Sequence, residues 1–165
     1  MRGSNELPER ADEAKRRVPF TNTRFRVDIE GMPHAGVLEV VFPEARLVRG
    51  RGSRGKVTPH YGSLILRRGL SGSGEWHRWW DAARRSRSGA KRKIAITIVD
   101  ATGADAHCWT YKDATPLAYQ VSNLNALGEQ VLIETLELSV GGLSVVCGPA
   151  SANRSLRRGV EASLV

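Results

Sequence analysis

The chain reads as mainly β with one α-helix. Apolar and polar residues alternate at period two through residues 129–140 and again through 92–99, whereas a period near 3.6 occurs once, between Ser73 and Gly89. Alternation at period two buries one face of a strand and leaves the other for water or for a partner. Such strands can close as a monomeric barrel, stack as a sandwich, or stay open as a sheet that needs neighbours. Edge strands look like any others in a sequence, so all three arrangements stand at this point.

Taken in order, residues 1–19 are polar, mixed in charge and interrupted by Pro8 and Pro19. Glu9 to Arg17 is helical in pattern but too short to hold a helix alone, and the segment reads as an N-terminal arm. A first strand at 23–30 sets Phe25, Val27 and Ile29 against Arg24, Arg26, Asp28 and Glu30. A second runs over about 35–48 with Leu38, Val40 and Phe42 on one side, and Pro43 marks a bulge or an edge. After a basic loop comes a third strand at 62–69. The helix follows, with Ser73 as its cap, Glu75 at its positive end, and Arg84, Arg85 and Arg87 at its negative end before Gly89. Trp76, Trp79, Trp80 and Ala83 recur at helical spacing and form the stripe that pins it to a sheet. A fourth strand at 92–99 turns through Asp100-Ala101-Thr102-Gly103 into a fifth at 105–112. Residues 111–143 then supply a strand, a turn on Asn123-Leu124-Asn125-Ala126, and a final strand at 129–140 whose extension to 146 is open. Past Gly148-Pro149 the strand pattern ends, and 147–165 reads as a tail.

At 165 residues the chain has the size of one domain, and 41% hydrophobic with 25% charged residues is ordinary for a soluble globular protein. Two cysteines, Cys108 and Cys147, and an N-terminus without an apolar core point to a reducing cytoplasm. No apolar run approaches the roughly 20 residues that span a bilayer, so membrane insertion is not expected. The outlier is a net charge of +8, with 20 Arg to 5 Lys gathered in Arg46–Lys56 and Arg84–Lys93. Patches of this kind suit phosphate or an acidic neighbour subunit.

Several patterns look chemical. Gly50-Arg51-Gly52-Ser53-Arg54-Gly55-Lys56 satisfies a dinucleotide fingerprint and most of a nucleoside-triphosphate loop, but both mechanisms need the glycines to open a helix. Here Val57-Thr58-Pro59 leads into a strand, and Val57 stands where a magnesium-holding hydroxyl belongs, so the stretch reads as a cationic hairpin loop. His34, His60, His77 and His107 are scattered without the spacing of a metal site, and His107 and Cys108 leave opposite faces of their strand. No nucleophile motif occurs. No catalytic residue, cofactor or metal is expected.

Six stretches carry a family resemblance: F-R-V-D-I-E-G at 25–31, H-Y-G-S-L-I-L-R-R-G-L at 60–70, E-W-H-R-W-W-D at 75–81, D-A-T-P-L-A-Y at 113–119, L-N-A at 124–126 and V-L-I-E-T-L-E-L at 131–138. In unbroken order over about residues 20–145, they resemble the tail tube proteins of T4-like phages, a family that also supplies the inner tubes of contractile injection systems. The resemblance implies an antiparallel β-sandwich or barrel domain at 20–146, homo-hexameric rings that stack around a central channel, and sheath and baseplate proteins as partners. Nucleic acid or protein would pass through the channel. It implies assembly in the cytoplasm into a tail or injection particle. The basic loop residues Arg49, Arg51, Arg54 and Lys56 are expected at contacts between subunits, as are Glu134, Thr135 and Glu137 on the shared sheet, where a neighbour's arginines would supply cations to the two glutamates. The other reading that the charge supports is a small basic nucleic-acid-binding module.

Overall fold

The computed structural model describes residues 19–21, 24–32, 35–51, 55–86 and 88–147. The expected arm at 1–19 and tail at 147–165 lie outside these residues except for Pro19 and Cys147. Strands β1 (Phe25–Ile29), β2 (Val37–Val41), β3 (Ala45–Arg49), β4 (Val57–Tyr61) and β5 (Leu64–Gly69) precede the helix α1 (Glu75–Arg85). Then come β6 (Arg92–Val99), β7 (Asp105–Val121), β8 (Ile133–Ser139) and β9 (Gly142–Cys147). Every ladder is antiparallel.

The 17-residue β7 organises the sheet. Its first half pairs with β6 on one side and β9 on the other; its second half pairs with β8, giving the order β1-β6-β7-β8-β5-β2 with β9 beside β7. The expected fifth strand and the strand after it are therefore one. β8 and β9 continue each other along β7, with Ser139 opposite Thr115 and Gly142 opposite Lys112. The final strand does extend to the end of the expected range, interrupted only at Val140-Gly141. Asp113 has φ 54 where β7 bends, and a Cβ on Gly141 would lie 3.0 Å from the Asp113 side chain, so glycine is the residue that lets the paired strands kink together.

The bend brings two wings of the sheet over one core. Val27, Ile29, Ile94, Ile96 and Tyr111 come from the β1-β6-β7 wing, and Leu64, Leu66, Leu136 and Leu138 from the β5-β8 wing; Trp76, Trp79 and Ala83 of α1 complete the cluster. The tryptophan stripe does pin the helix, and Trp79 Nε1 donates to Ala90 O at 2.6 Å. Its cap differs from expectation. Gly74, at φ 60, is the N-cap and no side chain caps the helix, because the Ser73 hydroxyl accepts instead from Arg68 Nη2 and Ser71.

The second expected strand, 35–48, is two strands in different sheets. Pro43 has no N–H for a ladder, and the chain leaves β2 there to enter β3, which pairs only with β4. Leu38 and Phe42 are 65% and 44% exposed, yet with Val40 they line one apolar recess over Phe25, Ile96 and Trp109, and Phe42 meets the Trp109 ring edge-on at 4.9 Å. The third expected strand, 62–69, is β5, and β4 is a further strand ahead of it, where the sequence had Val57-Thr58-Pro59 leading out of the basic loop. Between β7 and β8 the connection covers 122–132, with its turn at Asn125–Gly128, where Asn125 Oδ1 accepts from Leu127 N.

This burial map makes a direct prediction. Leu66→Ala should cost about 2–5 kcal/mol, whereas Leu47→Ala on the exposed hairpin should change the stability of the isolated subunit by no more than about 0.5 kcal/mol. Urea unfolding of the two variants measures the contrast, and equal losses would contradict it.

Candidate functional site

The basic loop closes a hairpin between β3 and β4. Gly50 N donates to Lys56 O at 3.1 Å, and a Cβ on Gly55 would meet Gly50 O at 2.1 Å, so the crossing of the two arms requires glycine. Arg49, Arg51 and Lys56 are exposed there, and Arg54 lies outside the described residues. Val57 opens β4, so no helix N-terminus faces the loop. Every residue of β3, and all of β4 but Tyr61, is exposed, including Leu47 at 73%.

The β7-β8-β5-β2 wing presents its second face away from the core. Thr135 and Glu137 stand on it, half-buried; Ser63 Oγ donates to Glu137 at 2.6 Å, and Arg67 pairs with Glu39 at 2.8 Å. Gln120, opposite Thr135, extends the same face. Polar groups on this face are thus paired with one another rather than gathered by sign.

Glu134 points the other way and is 1% exposed. The cation expected from a neighbour is supplied by this chain's own Arg68, which lies directly opposite across β5 and β8 and donates Nε to Glu134 Oε1 at 2.5 Å. Tyr119 OH donates to the other carboxylate oxygen at 3.0 Å. Arg68 Nη1 also donates to Ala35 O and lies 3.6 Å from Glu75, and the guanidinium stacks 4.4 Å from the Trp76 ring centre. Burial and the bond to Glu134 hold the Tyr119 phenol above its ordinary pKa. Sequence reading passed over Arg68. Its signal was parity: Leu64, Leu66 and Arg68 share one face of a strand, as do Glu134, Leu136 and Leu138.

A second cluster lies where α1 ends. Arg84 and Arg85 both bind Asp81, Arg84 Nη2 at 2.7 Å, and hold its carboxyl below the usual range. Beside them Trp80, Ala83, Pro116 and Leu117 line a shallow depression of about 280 Å³. Among the described residues no group of three or more His, Cys, Asp or Glu side chains could hold a metal, and no helix is long and apolar enough to cross a membrane. His107 and Cys108 do leave opposite faces of β7: His107 contacts the Trp109 ring, and Cys108 meets Thr97.

A bent antiparallel sheet, one helix across its open side and an emergent hairpin match a known architecture. The family model of the T4-like virus tail tube protein gp19 covers residues 21–144. The chain belongs to this tail tube family. A chain of the 6-fold symmetrised cryo-EM structure of the anti-feeding prophage baseplate is similar, with a TM-score of 0.56 and 23% identity over 79% of this chain and 97% of that one. A chain of the PVC sheath-tube complex, an extracellular contractile injection system in the extended state, gives 0.62 at 17% identity over 83% and 97%. Hcp1 from Flavobacterium johnsoniae gives 0.52 at 18% identity over 76% and 97%. At these identities the structures establish a shared tail tube fold. No curated protein matches the chain.

Two predictions follow from the buried pair. Arg68→Leu should destabilise this tail tube subunit by about 3–5 kcal/mol by stranding the Glu134 carboxylate, and Arg68→Leu with Glu134→Leu should recover much of that loss; urea unfolding of the single and double variants is the measurement. Because the folded Tyr119 pKa is raised, the folded state holds the phenolic proton after the unfolded chain begins to lose it near pH ~10. That contribution is complete below pH ~10 and declines as pH rises through the folded value. Stability should therefore fall more steeply above pH ~10 in the wild type than in Tyr119→Phe.

Proposed function

We propose that the chain is a structural subunit of the inner tube, or of a ring that starts or adapts the tube, in a phage tail or phage-like contractile injection system. Its domain at 20–146 would close into homo-hexameric rings whose stacking continues a central channel, with the arm at 1–19 and the tail at 147–165 added to it. The subunit would assemble in the cytoplasm, contact sheath and baseplate proteins of its particle, and carry no catalytic centre. Nucleic acid or protein would traverse the channel.

The observation that carries this reading is the bare β3-β4 hairpin. A two-stranded ribbon exposing Leu47, Val48 and Val57 on all sides is marginal in water and becomes stable when packed against something else. The edges favour the same conclusion: among the described residues β1, β2 and β9 each have a ladder partner on one side only. Head-to-tail pairing around a closed ring would satisfy such edges, whereas stacking along the axis remains open-ended and needs a terminator from elsewhere. The mutually paired polar face holding Glu39, Arg67, Thr135 and Glu137 suits a channel wall, because it offers passing cargo few uncompensated charges. On this reading Thr135 and Glu137 lie on the shared sheet, and Glu134 fixes the shape of that sheet from beneath. The loop residues Arg49, Arg51, Arg54 and Lys56 meet the adjacent subunit.

Arg51→Glu with Arg54→Glu is expected to reduce tube yield by electron microscopy while leaving the thermal unfolding of the subunit unchanged. Negative-stain imaging of purified protein across a concentration series tests the proposal itself. Sixfold rings or tubes support it; a monomer at every concentration overturns it.

A further inference from the structure

The helix end described above has surplus positive charge beside a shallow apolar recess. Arg84 and Arg85 share the single carboxylate of Asp81, while the segment that follows adds Lys91 and Lys93, of which Lys91 reaches only Asp113, at 3.8 Å. Within the recess Leu117 is 43% exposed beside Trp80. The surface thus asks for an acidic segment carrying one apolar side chain.

The chain contains such a segment. Residues 5–13, Asn-Glu-Leu-Pro-Glu-Arg-Ala-Asp-Glu, hold Glu6, Glu9, Asp12 and Glu13 against a single Arg10, with Leu7 as their one large apolar residue. Elsewhere in this chain of net charge +8 no nine-residue stretch holds more than three acidic residues. We propose that this acidic stretch of one copy docks on the basic end of α1 of a neighbouring copy, with Leu7 in the recess between Trp80 and Leu117. The proposal rests on the ring-forming reading and assigns the arm a role within it.

Reach limits which copy the arm can meet. The described chain starts beside the beginning of β7, where the Phe20 ring is 6.1 Å from that of His107. From His107 to Leu117 the strand contour is ~33 Å, while the seven residues between Glu13 and Phe20 extend to ~24 Å at most. That contour is an upper bound because β7 bends at Asp113, and the thirteen residues from Leu7 to Phe20 extend to ~44 Å, so it is the ring reading that selects the neighbour and the charge exchange below that separates it from the same copy. The hairpin loop is the other basic surface, but its apolar residues Leu47, Val48 and Val57 stand out from a ribbon and form no recess.

Charge exchange tests this in the full chain, because it separates contacts between copies from contacts within one. Variant A carries Glu9→Lys, Asp12→Lys and Glu13→Lys; variant B carries Arg84→Glu, Arg85→Glu and Lys91→Glu, with thermal unfolding confirming that each is folded. The wild type should form rings under conditions where A alone and B alone form at least tenfold fewer by sedimentation and electron microscopy. An equimolar mixture should recover assembly, since each arm then meets an opposite helix end on the other variant. Wild-type assembly with undiminished A or B overturns the arm contact and leaves the ring reading intact, whereas absence of wild-type rings removes the ring reading itself. A mixture that stays unassembled, while one chain bearing all six changes assembles, places the arm on its own copy and overturns the proposal. So would loss of DNA retardation in B without loss of assembly, which would make the helix end a phosphate-binding surface. Should B fail to fold, Leu117→Asp replaces it. That variant should assemble as poorly as A, and normal assembly by it overturns the docking.

Discussion

Arg68 and Glu134 fix the arrangement on which the rest of the domain depends. They are direct partners across β5 and β8, and a slip of one residue in that ladder would move every leucine of the strand to the wrong face and leave both charges unpaired. A buried ion pair contributes little net stability compared with well-packed apolar side chains, so its main consequence is specificity of register. Arg68 also reaches Ala35 ahead of β2, Ser73 and Glu75 at the start of α1, and the face of Trp76. One guanidinium thereby couples sheet register to helix position. If this sheet meets a neighbour in a ring, as proposed, register and curvature become the same problem, because a closed ring tolerates no cumulative error.

The bend in β7 complements this lock. Asp113 leaves the ordinary strand conformation there, Gly141 makes room for it, and one long hairpin passes from the first wing to the second without losing its pairing. The wings enclose a single core. The polar face of the second wing keeps its charges in local pairs, whereas the exposed cations of the β3-β4 loop and of the end of α1 outnumber the carboxylates beside them. If the proposed ring forms, strand parity and the position of the helix end would keep the paired face apart from these cationic surfaces.

Much of this was legible in the sequence because the signals were local. The Ile94, Ile96, Ile98 alternation gave β6 its residues as expected, and the tryptophan stripe gave the buried face of α1. What escaped depended on geometry that a single strand does not contain. Pro43 signalled irregularity, but that β2 and β3 join different sheets is decided by their partners β5 and β4. Asp113 ended a strand by pattern, although its backbone only bends, because β9 pairs with β7 up to Lys112 and β8 takes over from Thr115. Ser73 had the right chemistry for a cap and was diverted by Arg68. Glu134 looked like an exposed or interfacial acid because its partner is 66 residues away in sequence. The basic loop was legible as a loop, but the contacts proposed for it are with other copies, and no pattern within one chain encodes those.

Stacking of identical rings requires each subunit to offer two different surfaces, since a self-complementary one would join rings in pairs and stop. The hairpin provides one projection, bearing Leu47 and the loop cations. The β7-β8 connection provides another, where Leu124 and Leu127 are 83% and 99% exposed and Glu129 supplies the acid. In the proposed ring these apolar residues would lose water when several copies stand side by side. Growth would then be favoured at the end of an existing tube over the joining of lone subunits, because one weak projection by itself buries little apolar surface.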